Sequence, residues 1–196
     1  MQKAFYAFIV LLLGSTGVGL ANSHQFMLTA GDANINIDYA TKRDLKAGYL
    51  KTGLGGMFRK NDNKEYQIGH GTLSVGSKTW LKGIGCDLGF RGLFGRLEKD
   101  RNDANAGALG FHMGAVYTLP EQIAPIHIDL VAGLTWAPDV LCFADLDTYS
   151  EFKAGVHIYI VENAALVLAY QHNAFDTDDN WEWDSNSLSA GIFLNF

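Results

Sequence analysis

Acid–base chemistry needs histidines and carboxylates that can reach one another, and this chain offers several. His70, His112, His127 and His157 stand beside Asp87, Arg91, Asp129, Glu151 and Lys153 in segments that alternate between apolar and polar residues. Proton transfer would use a carboxylate–imidazole pair at hydrogen-bond reach of a substrate. A second use of the same residues is a packed network, in which charges held away from water must pair to offset their desolvation. The choice between the two depends on the elements that carry them.

Those elements read as strands. Residues 126–136 place Ile126, Ile128, Leu130, Ala132, Leu134 and Trp136 on one face, with His127, Asp129, Val131, Gly133 and Thr135 on the other. Phe152, Ala154, Val156, Ile158 and Ile160 oppose Glu151, Lys153, Gly155, His157 and Tyr159 in the same way. So do Leu109 to Leu119, taken in twos, against Gly110, His112, Gly114, Val116 and Thr118, and Ile84, Cys86, Leu88 and Phe90 against Gly85, Asp87, Gly89 and Arg91. Successive side chains of a strand point to opposite faces, so each segment has an apolar side and a side of glycine, histidine and hydroxyl residues. A soluble sandwich would turn a heavily charged face to water. Faces with few charges suit the crowded interior of a small barrel, with the apolar side toward lipid. The eight candidate residues Asp87, Arg91, His112, His127, Asp129, Glu151, Lys153 and His157 are therefore expected to form a structural polar network in the lumen.

The last eleven residues, 186–196, carry the same pattern to the chain's end: Leu188, Ala190, Ile192, Leu194 and Phe196 form an apolar row. About ten residues match the thickness of an outer membrane. A final strand ending on Phe resembles the closing strand of bacterial outer-membrane barrels and the signal read by their assembly machinery.

At the other end, Met-Gln-Lys precedes an apolar run from Ala4 to Leu13 and a small, polar stretch toward Ala21 and Ser23. This is the pattern of a secretory signal peptide covering residues 1–21, with cleavage after Ala21 or Ser23. The remaining residues, 22–196, read as one domain. Loss of Lys3 takes the formal charge from -6 to -7, and no basic patch suits nucleic acid. The chain has 22 Gly and only 3 Pro, which favours strand-rich architecture over a loop-rich one. Cys86 and Cys142 are too few for a disulfide framework, and no CxxC or His–Cys cluster supports zinc, so no cofactor is expected.

Long polar segments alternate with short turns, as in barrels whose long loops face outward. Residues 60–65, 98–105 and 176–184 read as outside loops, and Glu162-Asn163 and 120–125 as inner turns. Further strands at 24–30, 34–40, 45–60, 66–79 and 164–173 give an all-β fold: a small transmembrane antiparallel β-barrel of ten strands, or eight if the first hairpin is peripheral or two segments merge. The acidic loop 176–184 begins Asp-x-Asp-x-Asn as a calcium loop does. Trp181 occupies the position that wants Gly, and Ser187 the position that wants Glu. Trp181 and Trp183 are expected on the membrane surface.

The segment Trp136-Ala137-Pro138-Asp139-Val140-Leu141-Cys142-Phe143-Ala144-Asp145, with Tyr149-Ser150-Glu151-Phe152 after it, resembles the YfaZ family of small outer-membrane proteins. Ala108-Leu109-Gly110 and the C-terminal strand share in that resemblance, which covers about the second half of residues 22–196. The chain departs from many relatives at Thr135-Trp136 and at Ala169-Tyr170-Gln171. The resemblance implies the fold and the outer membrane, with no activity attached. Gln171-His172-Asn173-Ala174 is faintly similar to the His-x-Ser-Asn motif of lipid A deacylases, but no serine follows His172, so the nucleophile is missing. The expectation is a non-enzymatic outer-membrane protein with a structural or surface-loop role. Its partners would be membrane lipid, lipopolysaccharide and the barrel assembly machinery. A narrow channel or a lipid-modifying enzyme is the alternative.

Register is the point on which this reading can be tested. Single cysteines along 126–136, in a background without Cys86 and Cys142, should report an apolar environment at even positions and a polar one at odd positions. Leu130→Arg should cost about 2 to 4 kcal/mol of barrel stability in a urea titration. A signal repeating every three to four residues would overturn the strand assignment.

Overall fold

The structure, a computed structural model, describes residues 23–61, 64–81, 83–99, 102–177 and 182–196. The expected signal peptide and the centre of the acidic loop lie outside the described residues. Among those described, ten long strands form one closed antiparallel barrel. They are β1 (Ser23–Gly31), β2 (Asn34–Leu45), β3 (Gly48–Asn61), β4 (Lys64–Leu81), β5 (Ile84–Lys99), β6 (Asn102–Thr118), β7 (Ile128–Ala137), β9 (Leu146–Val161), β10 (Ala164–Thr177) and β11 (Glu182–Asn195). A short 3-10 turn, Asp139–Leu141, and a three-residue strand, β8 (Cys142–Ala144), lie between β7 and β9. The reading with ten strands is the observed one, and the eight-strand alternative is set aside.

Closure is made by the C-terminal strand. β11 pairs with β10 on one side and with β1 on the other, from Gln25↔Asn195 to Gly31↔Ser189. The seam is pinned at its end by two reciprocal backbone bonds, His24 N–H to Phe196 O at 2.6 Å and Phe196 N–H to His24 O at 2.9 Å. Among the described residues the ladders close, so the wall leaves no unpaired strand edge, which hydrocarbon would not tolerate.

The outward face has the apolar row that a bilayer demands. Leu188 is 72% exposed, Leu88 60% and Leu168 54%, while Ser189, Asp87 and Gln171 on the alternate positions are buried. Trp136, Phe90, Phe111, Phe152 and Tyr170 add exposed rings to this surface.

In three segments expected to be loops, the described residues on either side of the centre are paired strands. Glu98 pairs with Asp103 and Lys99 with Asn102, extending the β5–β6 hairpin. Lys60 pairs with Glu65, and Asp176 with Glu182. The reason is that the barrel continues beyond the apolar belt, where its outer surface meets water and no longer needs an apolar face. Arg96 there bridges Glu98 at 3.1 Å and Asp103 at 2.9 Å, all three half-exposed. β9 likewise starts at Leu146, earlier than the alternation suggests, with a bulge where Asp176↔Thr148 gives way to Thr177↔Leu146.

The inner face of these extensions is apolar. Tyr66 and Ile68 of β4, Leu93 and Leu97 of β5, Ala106 and Ala108 of β6, Tyr149 of β9, Phe175 of β10 and Trp183 of β11 form one buried cluster. Tyr66 and Trp183 meet edge-to-face at 5.1 Å, Phe175 and Trp183 at 5.4 Å, and Tyr149 stacks on Phe175 at 4.9 Å. Small alanines on β6 leave room for the rings that cross from the opposite wall, the large–small fit that fills narrow barrels. Trp183, expected on the membrane surface, is instead fully buried here. Its odd position on β11 points inward, and the aromatic cluster takes the ring.

Cys142 lies in β8 of the β7–β9 connection, and its Sγ donates to Ala137 O at 3.6 Å. Burial, with Asp139 and Asp147 nearby, pushes its thiol up to about 11. Cys86 and Cys142 are both free.

Trp183→Ala should remove about 3 to 5 kcal/mol, the range for deleting a buried aromatic side chain. Arg96→Ala, on the exposed ion pairs outside, should cost less than about 1 kcal/mol. Urea unfolding in micelles would measure both, and equal effects would contradict the aromatic cluster as the stabilising element.

Candidate functional site

Below the aromatic cluster the inward side chains change character. Glu151 of β9, 2% exposed, lies at the centre of a polar band. Its Oε1 accepts from Lys153 Nζ at 3.0 Å and from Gln171 Nε2 at 2.9 Å. Its Oε2 lies 3.4 Å from Arg91 Nε and accepts from Thr135 Oγ1 at 3.4 Å. These partners come from β5, β7, β9 and β10, so this carboxylate ties four strands across the lumen. Alternation alone positions them: Arg91, Thr135, Lys153 and Gln171 are all on inward positions.

The band extends sideways. His112 Nδ1 is 3.0 Å from Thr135 Oγ1, and its Nε2 is 3.9 Å from Asp87 Oδ1. Asp87 also accepts from the Tyr49 hydroxyl at 3.4 Å. His70 Nε2 lies 3.2 Å from Asp38 Oδ1. Gln171 accepts from Asn36 Nδ2 at 3.2 Å and continues the band to β2.

Of the eight expected residues, five meet here: Asp87, Arg91, His112, Glu151 and Lys153. The other three lie nearer the short-turn end. Asp129 accepts from Thr118 Oγ1 at 2.7 Å and sits 3.0 Å from His127 Nε2, whose ring stacks on Tyr159 at 4.3 Å. His157 pairs in register with Asp129 and packs its ring 5.0 Å from Phe193. Sequence reasoning missed Gln171, Asp38, Tyr49 and Asn36 as members. Their inward parity was available once their strands' faces were assigned, and the contacts that join them come from distant strands.

The chemistry of this band is that of a strut. A carboxylate that accepts from three donors, pairs with Arg91 and is closed from solvent has its lone pairs committed and cannot easily reach a substrate proton. Among the described residues no group of three histidine, cysteine or acidic side chains is placed to hold a metal ion. His172, from the faint deacylase-like motif, points to the outer surface instead, with Nδ1 3.0 Å from Asn186 Oδ1 and 3.4 Å from Asp184 Oδ1. The C-terminal row Leu188, Ala190, Ile192 and Leu194 faces outward as its alternation requires, and Phe196 is exposed at the seam.

No family model matches the chain, and no curated protein matches it. Solved structures with similar folds are outer-membrane barrels. The outer membrane channel DcaP of Acinetobacter baumannii is 10% identical with a TM-score of 0.42, covering 90% of this chain, which spans 62% of that one. Neisserial surface protein A is 11% identical, covering 89% of this chain and 94% of its own, with a TM-score of 0.37. The translocator domain of the autotransporter NalP from Neisseria meningitidis is 12% identical, covering 100% and 97%, with a TM-score of 0.44. These likenesses concern architecture. This chain is a β-barrel of the transmembrane kind, a conclusion carried by its own closed ladders and apolar outer belt.

Glu151→Ala leaves Arg91 and Lys153 without their shared anion and should destabilise the barrel by about 3 to 5 kcal/mol. Adding Arg91→Met should recover a large part of that loss. A double variant no more stable than the single, in the same urea titration, would show that Glu151 and Arg91 are not coupled.

Proposed function

We propose that this protein is a non-enzymatic, non-conducting component of the bacterial outer membrane, exported through a cleaved N-terminal signal peptide. Its role would be structural or exerted through the hairpins that project beyond the membrane. The observation that carries this reading is the filled outer half of the lumen. Tyr66, Tyr149, Phe175 and Trp183 stack across it, above a band of ion pairs that spans the lumen. Ions would have to cross both an apolar constriction and fixed, paired charges. Large side chains packed on one another close a pathway more firmly than a polar lining does.

The membrane setting is supported by the outward apolar row on the long strands and by the secretory pattern of residues 1–21. The outward row ending on Phe196 supports recognition of β11 by the barrel assembly machinery. Lipid and lipopolysaccharide are the natural contacts of the outer belt and its rim. Membership in the YfaZ family rests on residues 136–145 and 149–152, which form the outer end of β7, the β8 connection and the start of β9. The inward glycines, which leave open space at the short-turn end, favour a narrow channel as the second reading.

Planar-bilayer recordings of the refolded protein discriminate between the two. The closed-lumen reading expects no steady unit conductance from the unmodified barrel. Reproducible steps of fixed size at moderate voltage would establish the channel instead.

A further inference from the structure

A cavity of about 550 Å³ occupies the short-turn half of the lumen, from Gln25, Gly83 and Thr118 at its mouth to His70, Arg91 and Lys153 at its floor. Volumes of this size hold small organic ligands. Two features argue that the space is more than a packing remainder.

The first is where its wall is glycine. A Cβ on Gly53, Gly85 or Gly133 would meet nothing nearer than 3.4, 3.7 and 3.8 Å respectively. Side chains would fit at these three positions, so crowding does not demand glycine there. Gly114 contrasts with them, since its Cβ would come 2.8 Å from Asp87 Oδ2.

The second is the charge on the wall. Lys42 and Lys51 oppose each other directly across β2 and β3, on inward positions that both line the cavity. Like charges in that relation repel and destabilise the pair. Lys42 lies over the Tyr49 ring, its Nζ 4.0 Å from the centroid. Among the described residues Lys51 has no carboxylate within 4.0 Å. Of the acids of the cavity wall, Asp87 accepts from Tyr49, Asp129 accepts from Thr118 and lies 3.0 Å from His127, and Asp38 lies 3.2 Å from His70. On the other side, β1, β10 and β11 present an apolar wall in which Met27, Val167 and Phe193 pack together.

We propose that this cavity is a binding site, open to the periplasm, for a small organic acid. The carboxylate of the ligand sits at Lys51, and its ring or short alkyl body lies against Met27, Val167 and Phe193. A purely polar anion would waste the apolar wall, and a neutral apolar molecule would leave Lys51 unanswered. The site goes beyond the structural role proposed above and does not depend on it, since a conducting lumen would still contain it.

Naphthoate is a suitable probe, being anionic, aromatic and fluorescent. It would be titrated into the full-length mature barrel in phosphatidylcholine nanodiscs, with empty nanodiscs subtracted and naphthalenemethanol as the neutral counterpart. The expected result is saturable one-to-one binding of naphthoate at least about tenfold tighter than of the alcohol, the equivalent of one good ion pair. Lys51→Met should weaken naphthoate about tenfold while leaving the alcohol unchanged. Gly133→Leu should abolish binding of both by filling the space. The heat-dependent gel shift would confirm that each variant is folded, and Gly85→Leu replaces Gly133→Leu if the latter does not fold. Absence of saturable naphthoate binding, equal binding of acid and alcohol, or an undiminished affinity in Lys51→Met would each overturn the proposal.

Discussion

A single buried carboxylate sets the terms for the middle of this barrel. Lipid surrounds the wall, and an aromatic cluster seals the outer end, so an ion at the position of Glu151 has little water to draw on. Desolvating such a charge costs several kcal/mol unless partners replace the lost hydration. Arg91, Lys153, Gln171 and Thr135 replace it, each from a fixed inward position. Their geometry is satisfied only when β5, β7, β9 and β10 stand in the observed register. A slip of one residue on any of these strands would send a donor into lipid and leave a charge unpaired in the lumen. The polar band therefore specifies pairing as much as it contributes stability.

The alternation of apolar and polar residues inverts along the strands. Within the lipid belt, β11 points Leu188, Ala190 and Ile192 outward and Ser187 and Ser189 inward. At its outer end the same strand points Glu182 and Asp184 outward and Trp183 inward. β5 makes the same change, from Leu88 outside and Asp87 inside to Arg96 outside and Leu97 inside. Solvent explains it: lipid requires an apolar exterior, while water allows a charged one and rewards burial of rings in the interior.

That inversion decides how much of the fold and site was legible in the sequence. A strand whose whole length lies in the belt, such as β7, shows one sense of alternation and is legible directly with the inward placement of Asp129 and Thr135, although it begins at Ile128 where the alternation suggests Ile126. Segments that cross the boundary, such as 98–105 and 176–184, mix two senses and look like polar loops. A Trp among acids, as at Trp183, resembles a rim anchor until its parity on β11 is known. The members of the candidate site were legible as inward residues but not as partners. Glu151 and Lys153 are neighbours on one strand, whereas Gln171 and Arg91 reach the same carboxylate only through closure of the barrel.

The two halves of the lumen are then filled on different principles. Outside, Tyr66, Phe175 and Trp183 pack on one another, and alanines on β6 appear where rings need space. At the periplasmic end, Gly53, Gly85 and Gly133 leave space that a Cβ would not overfill. Were the lumen selected only for stability, burying more apolar surface at those three positions would add to it at about 25 cal/mol per Å². The difference between the halves leaves packed rings at the end with the long hairpins and open space at the short-turn end. A small molecule arriving from the periplasm would meet lysines and a phenylalanine before it met the ion-paired floor, while one arriving from outside would meet packed rings.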